Sequence, residues 1–376
     1  MAKRILVIGM ADSVHLARWL AQFSTSEYTF RIVSSSPHRR LHPGIKRLLL
    51  EGSKFRIGTI SRFLSLPLWI ADRLFSDFFR GILIAFEANR FRPDLVHIFE
   101  TQNGGYAFLR ARRMSPVLSN CQTILTPYGS DFYWFKDLPG HRSKLVRLLS
   151  LVGHISAECK RDETLATEMG FQGQFLPRIP ASGGVSWPSV VADTDKRKYV
   201  AVKGYENKWG VASNALLALT PLIDDLREYE IVLFSCNRKL MPAVRRFRRA
   251  SRLRVRTYKK GKLTHDEVQS ILGNAVLLIS LSRSDGLPAS MVEAMANGAV
   301  PIQSDSSCCN EWIENGKGGF IVKFDDIAAV AEAVRKVLGD DNLRKAAAET
   351  NRRVLIDKLS PNKLKEAALL TYKSII

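Results

Sequence analysis

No stretch of this chain stays apolar and uncharged for 18 residues, which excludes a membrane-spanning helix. Cysteine is sparse: Cys121, Cys159, Cys236, Cys308 and Cys309 are odd in number and show no Cys-x-x-Cys spacing. That pattern fits free thiols in a reducing compartment and argues against a disulfide framework or a zinc site. The seven histidines are scattered, with no i, i+4 pair beside a glutamate, so no metal site is expected. There is no zinc-finger or RNP-type segment, no repeat and no low-complexity tract. Acidic residues are few, 36 against 56 lysines and arginines, for a net charge of +20. The opening MAKRILVIGMADS has the two cations and apolar run of a signal peptide. The run is short and Asp12 follows it, so it reads as a first buried strand.

The surplus of cations is clustered. From Ile231 to His265 there are twelve Lys or Arg residues and no acid. Residues 44–93 carry nine cations against four acids, interleaved with apolar runs. At helical spacing Phe63, Leu64, Leu68, Ala71, Leu74, Phe75, Phe78, Phe79, Ile82 and Phe86 form a broad apolar face, with Arg62, Arg73 and Arg80 beside it. Such a stretch is either a core-facing helix with a solvated basic rim or a helix lying in the interface of an anionic bilayer. Two basic regions together favour a membrane-facing surface, and with it a substrate that is acidic or lipid-linked. Nucleic acid is the other usual partner of such charge. Without a motif for it, the expectation is an anionic membrane surface and no nucleic acid.

A chain of 376 residues, 46% of them hydrophobic, suits two domains with a buried sheet each. In the first half RILVIG, FRIVSS, LVHIFE, TILTPY and GHISAE read as strands. In the second half YVAVKG, EIVLFS, RVRTY, VLLISLS, VPIQSD and GFIVKF do the same. Their alternation with helical stretches predicts two parallel α/β domains. Helix breakers and polar residues concentrate over 176–198, the best boundary. The expected organisation is a first domain over 1–180, a second over 198–355 and a closing helix over 356–376.

Residues 280–305, SLSRSDGLPASMVEAMANGAVPIQSD, carry the most chemistry. The strand VLLISLS leads into an acidic glycine turn at Asp285-Gly286. That turn opens a helix predicted to start near Pro288 or Ala289 and to stop at Gly298, a residue suited to a left-handed cap. The N-terminus of such a helix can hold phosphate. Glu293, eight positions after Asp285, is placed to accept hydrogen bonds from ribose hydroxyls. The alternative is an ordinary αβ crossover with a chance acid pair. The acid, the seven-residue gap, the glutamate, the Ala-Met-Ala-Asn-Gly that follows and the closing Ser-Asp together resemble the C-terminal signature of retaining family-4 glycosyltransferases, enzymes of the GT-B fold. The family usually has Glu where this chain has Asp285, one methylene shorter.

The resemblance implies two Rossmann-like parallel-sheet domains facing across a cleft, with the last helix crossing back to the first domain. It implies transfer of a sugar, with retention, from a UDP or GDP sugar to a glycan or lipid-linked acceptor, in bacterial cell-surface polysaccharide synthesis. No metal or other cofactor is then required. In AVKGYENKWG, Lys203 and Lys208 stand five apart around a tight turn. Relatives carry Arg and Lys there, reaching the donor diphosphate. Two cations are what a departing nucleotide diphosphate requires in place of a metal, although Lys lacks the bidentate fork of Arg. With Ser284, Gly286, Leu287 and Glu293 they make the expected donor site.

Three loops of the first domain complete the expectation. GMADSVHLARW offers Asp12 or Ser13 as a helix N-cap and His15 in the first turn, without the Gly-Gly pair that many relatives place there. LTPYGSDFYWF has Tyr128 where the family often reads His, and keeps Gly129, Ser130 and Asp131. Asp131 either bonds sugar hydroxyls and orients the reacting group or stabilises its own turn. FETQNGGYAF adds Glu100, Asn103, Gly104 and Gly105. Asp131, His15 and Asp285 are thus the catalytic candidates, and Asp12, Ser13, Asn103, Gly104 and Tyr128 the acceptor candidates. Asp193-Thr-Asp195 is similar to the metal-binding Asp-x-Asp of the other large glycosyltransferase fold, but it falls in the polar linker and reads as loop. The expected location is cytoplasmic, peripheral to the inner face of the membrane. A basic nucleic-acid-binding or membrane-surface α/β protein without transferase activity is the competing reading.

Overall fold

The apolar runs of the sequence become two wholly parallel sheets in the computed structural model, which describes residues 2–35, 41–52, 54–58, 66–67, 70–72, 74–75, 77–185 and 196–376. The strands Arg4–Gly9 (β1), Thr29–Ser34 (β2), Phe55–Ile57 (β3), Leu95–Phe99 (β4), Gln122–Thr126 (β5), His154–Ile155 (β6) and Gln174–Phe175 (β7) lie in the order β3-β2-β1-β4-β5-β6-β7. The strands Tyr199–Lys203 (β8), Glu230–Cys236 (β9), Val255–Lys259 (β10), Ala275–Ser280 (β11), Val300–Ser304 (β12) and Phe320–Val322 (β13) lie in the order β10-β9-β8-β11-β12-β13. Strands covered by helices on both faces are apolar throughout rather than alternating, and β4, β11 and β12 are buried at every position. The chain divides into unit 1, Met1–Gly184 with Pro361–Ile376, and unit 2, Val185–Ser360.

In both sheets the strand order reverses beside the first strand of the unit. Unit 1 turns between β1 and β4, and unit 2 between β8 and β11. In open parallel sheets, ligands bind outside the carboxyl ends of the strands at such a reversal. The loops that follow β1, β4 and β5 and those that follow β8 and β11 are therefore where the site residues should be sought.

The C-terminal helix Pro361–Ile375 is tied to the unit 1 sheet by buried polar contacts. Tyr372 Oη lies 2.7 Å from His97 Nδ1 and accepts from Trp19 Nε1 at 3.1 Å, while His97 Nε2 lies 2.8 Å from Thr126 Oγ1. A consistent donor chain runs from Trp19 through Tyr372 and His97 to Thr126. Phe23 stacks on Tyr372 with centroids 4.5 Å apart. Burial lowers the His97 pKa to about 3, so the imidazole is neutral.

Three expectations are corrected or fall outside the description. Arg80 does not flank an exposed face: it is buried, with its guanidinium on Asp72, Asp77 and the carbonyl of Ser35. Cys121, Cys236 and Cys309 are free thiols, whereas Cys159 and Cys308 are not. Arg62, Phe63, Leu64, Leu68, Arg73, Asp193 and Asp195 lie outside the described residues. Among the described residues no helix is long and apolar enough to cross a membrane.

Candidate functional site

Unit 2 brings the signature residues to the β8–β11 reversal. β8 ends at Lys203, and its Nζ lies 3.6 Å from Asp285 Oδ2 in the turn after β11. The loop between Lys203 and the helix Ala212–Leu219 is shaped by Asn207, whose Oδ1 accepts from Trp209 N at 2.8 Å and Gly210 N at 2.9 Å. This fold leaves Lys208 exposed, its Nζ 4.4 Å from the Trp209 ring centroid. The same loop is fastened to the turn after β11, where Val211 N donates to Leu281 O at 3.2 Å and Arg283 N to Trp209 O at 2.6 Å. Lys203, Lys208 and Asp285 are therefore held on one bonded pair of loops.

After Asp285, Gly286 N donates to the Asp285 carboxylate at 3.0 Å, Ser284 is buried, and Leu287 leads to Pro288. The helix Ala289–Ala296 follows with no side chain capping its N-terminus. Its first amide groups and the positive end of its dipole thus lack a built-in acceptor side chain. The helix ends at Asn297, and Gly298 takes φ +75°, the left-handed conformation that glycine adopts without strain. Glu293 lies on this helix and is largely buried, with Oε1 3.7 Å from His265 Nδ1.

Several residues at this edge escape notice in the sequence. The Tyr205 ring lies between two cations, Lys203 Nζ at 5.1 Å and Lys260 Nζ at 5.3 Å. His265 opens the helix His265–Gly273, which is capped by Thr264 and Glu267 in a reciprocal pair of bonds. Their sequence signal is only that each follows a strand end. What joins them is the parallel placement of β8, β9 and β10.

Unit 1 gathers its candidates at the β1–β4 reversal, and there the buried carboxylates of Glu100 and Asp131 accept from backbone amides. Ser13 caps the helix Val14–Ala21, its hydroxyl accepting from His15 N at 3.2 Å. The rings of His15 and Tyr128 are 5.4 Å apart. Asp131 is buried, and its Oδ2 accepts from Tyr128 N at 2.9 Å and Thr101 N at 2.7 Å. Asp131 thereby straps the loop after β5 to the loop after β4. Glu100, buried with φ +60°, accepts from Asn103 N at 2.9 Å and from Gly104 N. A Cβ on Gly104 would sit 2.8 Å from Phe99 O, so only glycine fits there. Burial raises the pKa of both carboxyls, and the neighbouring Glu100 charge adds to the rise at Asp131, which lies well above its ordinary value. Burial likewise raises the Tyr128 phenol. Asp12 stays exposed at the start of this cluster.

Residues 247–354 match the family described as glycosyl transferases group 1. Solved structures align with the chain almost end to end. One is a glycosyltransferase from Rickettsia africae, at 16% identity over 100% of this chain and 98% of that one, with a TM-score of 0.67. Another is HepE from Anabaena in complex with UDP and glucose, at 13% identity over 99% and 100%, with a TM-score of 0.71. The chain has the GT-B fold. A third similar structure is the lipopolysaccharide outer core galactosyltransferase WaaB, at 14% identity over 99% of this chain and 100% of that one, with a TM-score of 0.68. At these identities the likeness is one of fold. Among curated proteins, none matches the chain by sequence.

Proposed function

We propose that the protein is a retaining glycosyltransferase that moves a sugar from UDP to a hydroxyl of a glycan or lipid-linked acceptor, in the synthesis of a cell-surface polysaccharide. The observation that carries this reading is the β8–β11 edge of unit 2. There Lys203 and Lys208 stand at the end of β8 and on the loop after it, which is bonded to the turn after β11, next to a helix N-terminus with no side-chain cap. Such an edge suits a diphosphate. The family match over 247–354 supports the reaction class, and the UDP and glucose bound to HepE support the choice of donor.

In the reaction, the bond between the anomeric carbon and the diphosphate oxygen breaks, and a bond to the acceptor oxygen forms on the same face. The hydroxyl proton passes to the departing phosphate oxygen, so no side-chain base is required. Lys203, Lys208 and the helix dipole offset the charge gathering on the diphosphate, which makes the transfer metal-independent. Glu293 anchors the ribose. Asp285 positions Lys203 through their ion pair. Unit 1 takes the acceptor through Asp12, Ser13, His15, Asn103, Gly104 and Tyr128, with Asp131 positioning the loop that bears Tyr128.

A thermal-shift screen against UDP, GDP and ADP, with the matching sugars, tests the reading. UDP or a UDP sugar should raise the melting temperature most. No shift with any nucleoside diphosphate would refute it.

A further inference from the structure

We propose that the outer face of residues 70–86 in unit 1 is a docking surface for an anionic lipid bilayer. The helix Phe78–Phe91 buries Ile84, Ala85 and Ala88 in the core. A surface helix ordinarily turns polar residues to the opposite side. This one instead exposes Phe78, Ile82 and Phe86, at 40%, 44% and 53%. Just before it Ile70, Leu74 and Phe75 are exposed at 53%, 77% and 58%. Phe78, Ile82 and Phe86, spaced by four, form a stripe along one face of the helix, and Ile70, Leu74 and Phe75 precede it across the left-handed turn at Asp77. Single exposed apolar side chains are common on any surface, but a contiguous run of this size marks an interaction site.

The stripe stands on a fixed base. Asp72 is buried and accepts from Phe79 N at 2.8 Å and Arg80 N at 3.2 Å. Together with Asp77 it holds the Arg80 guanidinium, which also donates to Ser35 O. This inner polar seam fastens the segment before Phe78 to the start of the helix and leaves its apolar side chains outside.

Charge decides the occupant. Arg110 on the helix Tyr106–Met114 packs against Gly81, Lys144 on the helix Arg142–Leu149 is exposed, and both are near enough to act on the Asp77 carboxylate. Arg90 and Arg92 are exposed at its far end. An apolar stripe edged by cations matches the boundary between acyl chains and acidic headgroups, where the side chains enter and the cations meet lipid phosphates. The basic helix Met241–Ser251 of unit 2 is different. It buries Val244 and Phe247 and turns its arginines to solvent, so it offers charge without an apolar face.

The test is co-sedimentation of the full chain with phosphatidylcholine vesicles, with and without phosphatidylglycerol. The wild type should bind the phosphatidylglycerol vesicles at low salt and phosphatidylcholine alone much less. An Ile82→Asn, Phe86→Asn double variant should bind at least about tenfold more weakly, having lost two apolar side chains from the stripe. Its melting temperature and UDP affinity should match the wild type, because neither residue belongs to the core or to the donor site. An Arg90→Ala, Arg92→Ala variant, with the stripe intact, should lose preference for phosphatidylglycerol. At about 0.5 M salt, where the screening length is only about 4 Å, that preference should vanish. The proposal is overturned if the wild type does not sediment with phosphatidylglycerol vesicles at low salt, or if the Asn variant sediments equally well. It is also overturned if the wild type is a dimer that binds no vesicles and that the Asn variant dissociates, which would assign the stripe to a second copy of the chain.

Discussion

The two strand reversals make an instructive pair. Both lie at the carboxyl ends of parallel strands, and both collect ionisable side chains from loops that are distant in sequence. In unit 1 the carboxylates of Glu100 and Asp131 are buried and spent on backbone amides of the neighbouring loops. In unit 2 Lys203 and Asp285 pair at 3.6 Å with side chains 19% and 33% exposed, and Lys208 is exposed. A buried, saturated carboxylate fixes loop shape at the cost of desolvation. A half-exposed cation keeps its charge available to an incoming anion. The contrast is one of loop architecture in the polar cluster of unit 1 against the proposed diphosphate recognition at the edge of unit 2.

The largest effect expected is at Lys203. If it offsets charge on the departing diphosphate, Lys203→Ala should lower kcat by roughly a hundredfold, with Lys203→Arg recovering part of the loss. Steady-state kinetics with a UDP sugar reads this directly. An unchanged kcat would erase the distinction between the two edges.

Glu293→Gln comes next. Losing a charge-assisted bond to ribose, worth about 1.5–3 kcal/mol, should weaken donor KM or turnover by at least about tenfold. Wild-type values for both constants would remove Glu293 from the site and leave it as the partner of His265.

The sequence shows the unit 2 edge more clearly than the unit 1 edge, for physical reasons. The run VLLISLS, the Asp285-Gly286 turn and Gly298 are local signals, and β11 and the helix Ala289–Ala296 fall where they point. The strands β3 and β7, of three and two residues, are not among the runs read as strands, whereas the equally short β13 and β6 lie within the readable runs GFIVKF and GHISAE. Arg80 reads as a rim cation because its partners stand eight and three residues before it, across a chain turn in which Asp77 takes φ +64°. The cation pair around Tyr205 is equally invisible, since Lys260 reaches it only through the placement of β10 beside β9. For Asp131 the sequence leaves two roles open, and its bonds to Tyr128 N and Thr101 N display the loop-fastening one.

A stability experiment sharpens the comparison from the side of unit 1. Burial raises the Asp131 pKa, so the folded protein keeps a proton that the unfolded chain releases. That contribution is present below the ordinary value of 3.8 and is lost as pH rises through the raised one. Asp131→Asn should therefore flatten the fall in melting temperature between about pH 4 and the raised pKa. A slope equal to the wild type would mean that Asp131 is ionised throughout. His97 acts with the opposite sign, because its pKa is lowered to about 3 and the unfolded chain binds the extra proton. Its contribution is complete above about pH 6.5 and is lost as pH falls toward 3.

A smaller effect is expected at the C-terminal helix. Tyr372→Phe strips His97 Nδ1 and Trp19 Nε1 of a buried partner, and unfolding by urea should show a loss of about 1–3 kcal/mol. Equal stability would mean that the hydroxyl contributes nothing to holding the helix on the sheet.

The central claim is that the β8–β11 edge of unit 2 holds a nucleoside diphosphate through lysines. Calorimetric titration of UDP in the presence of EDTA, into the wild type, Lys203→Ala and Asp131→Asn, tests it most directly. The account predicts that the wild type binds UDP with the chelator present, that Lys203→Ala binds at least about tenfold more weakly, and that Asp131→Asn binds as the wild type does. UDP binding that vanishes with EDTA, or that survives Lys203→Ala and fails in Asp131→Asn, would contradict it.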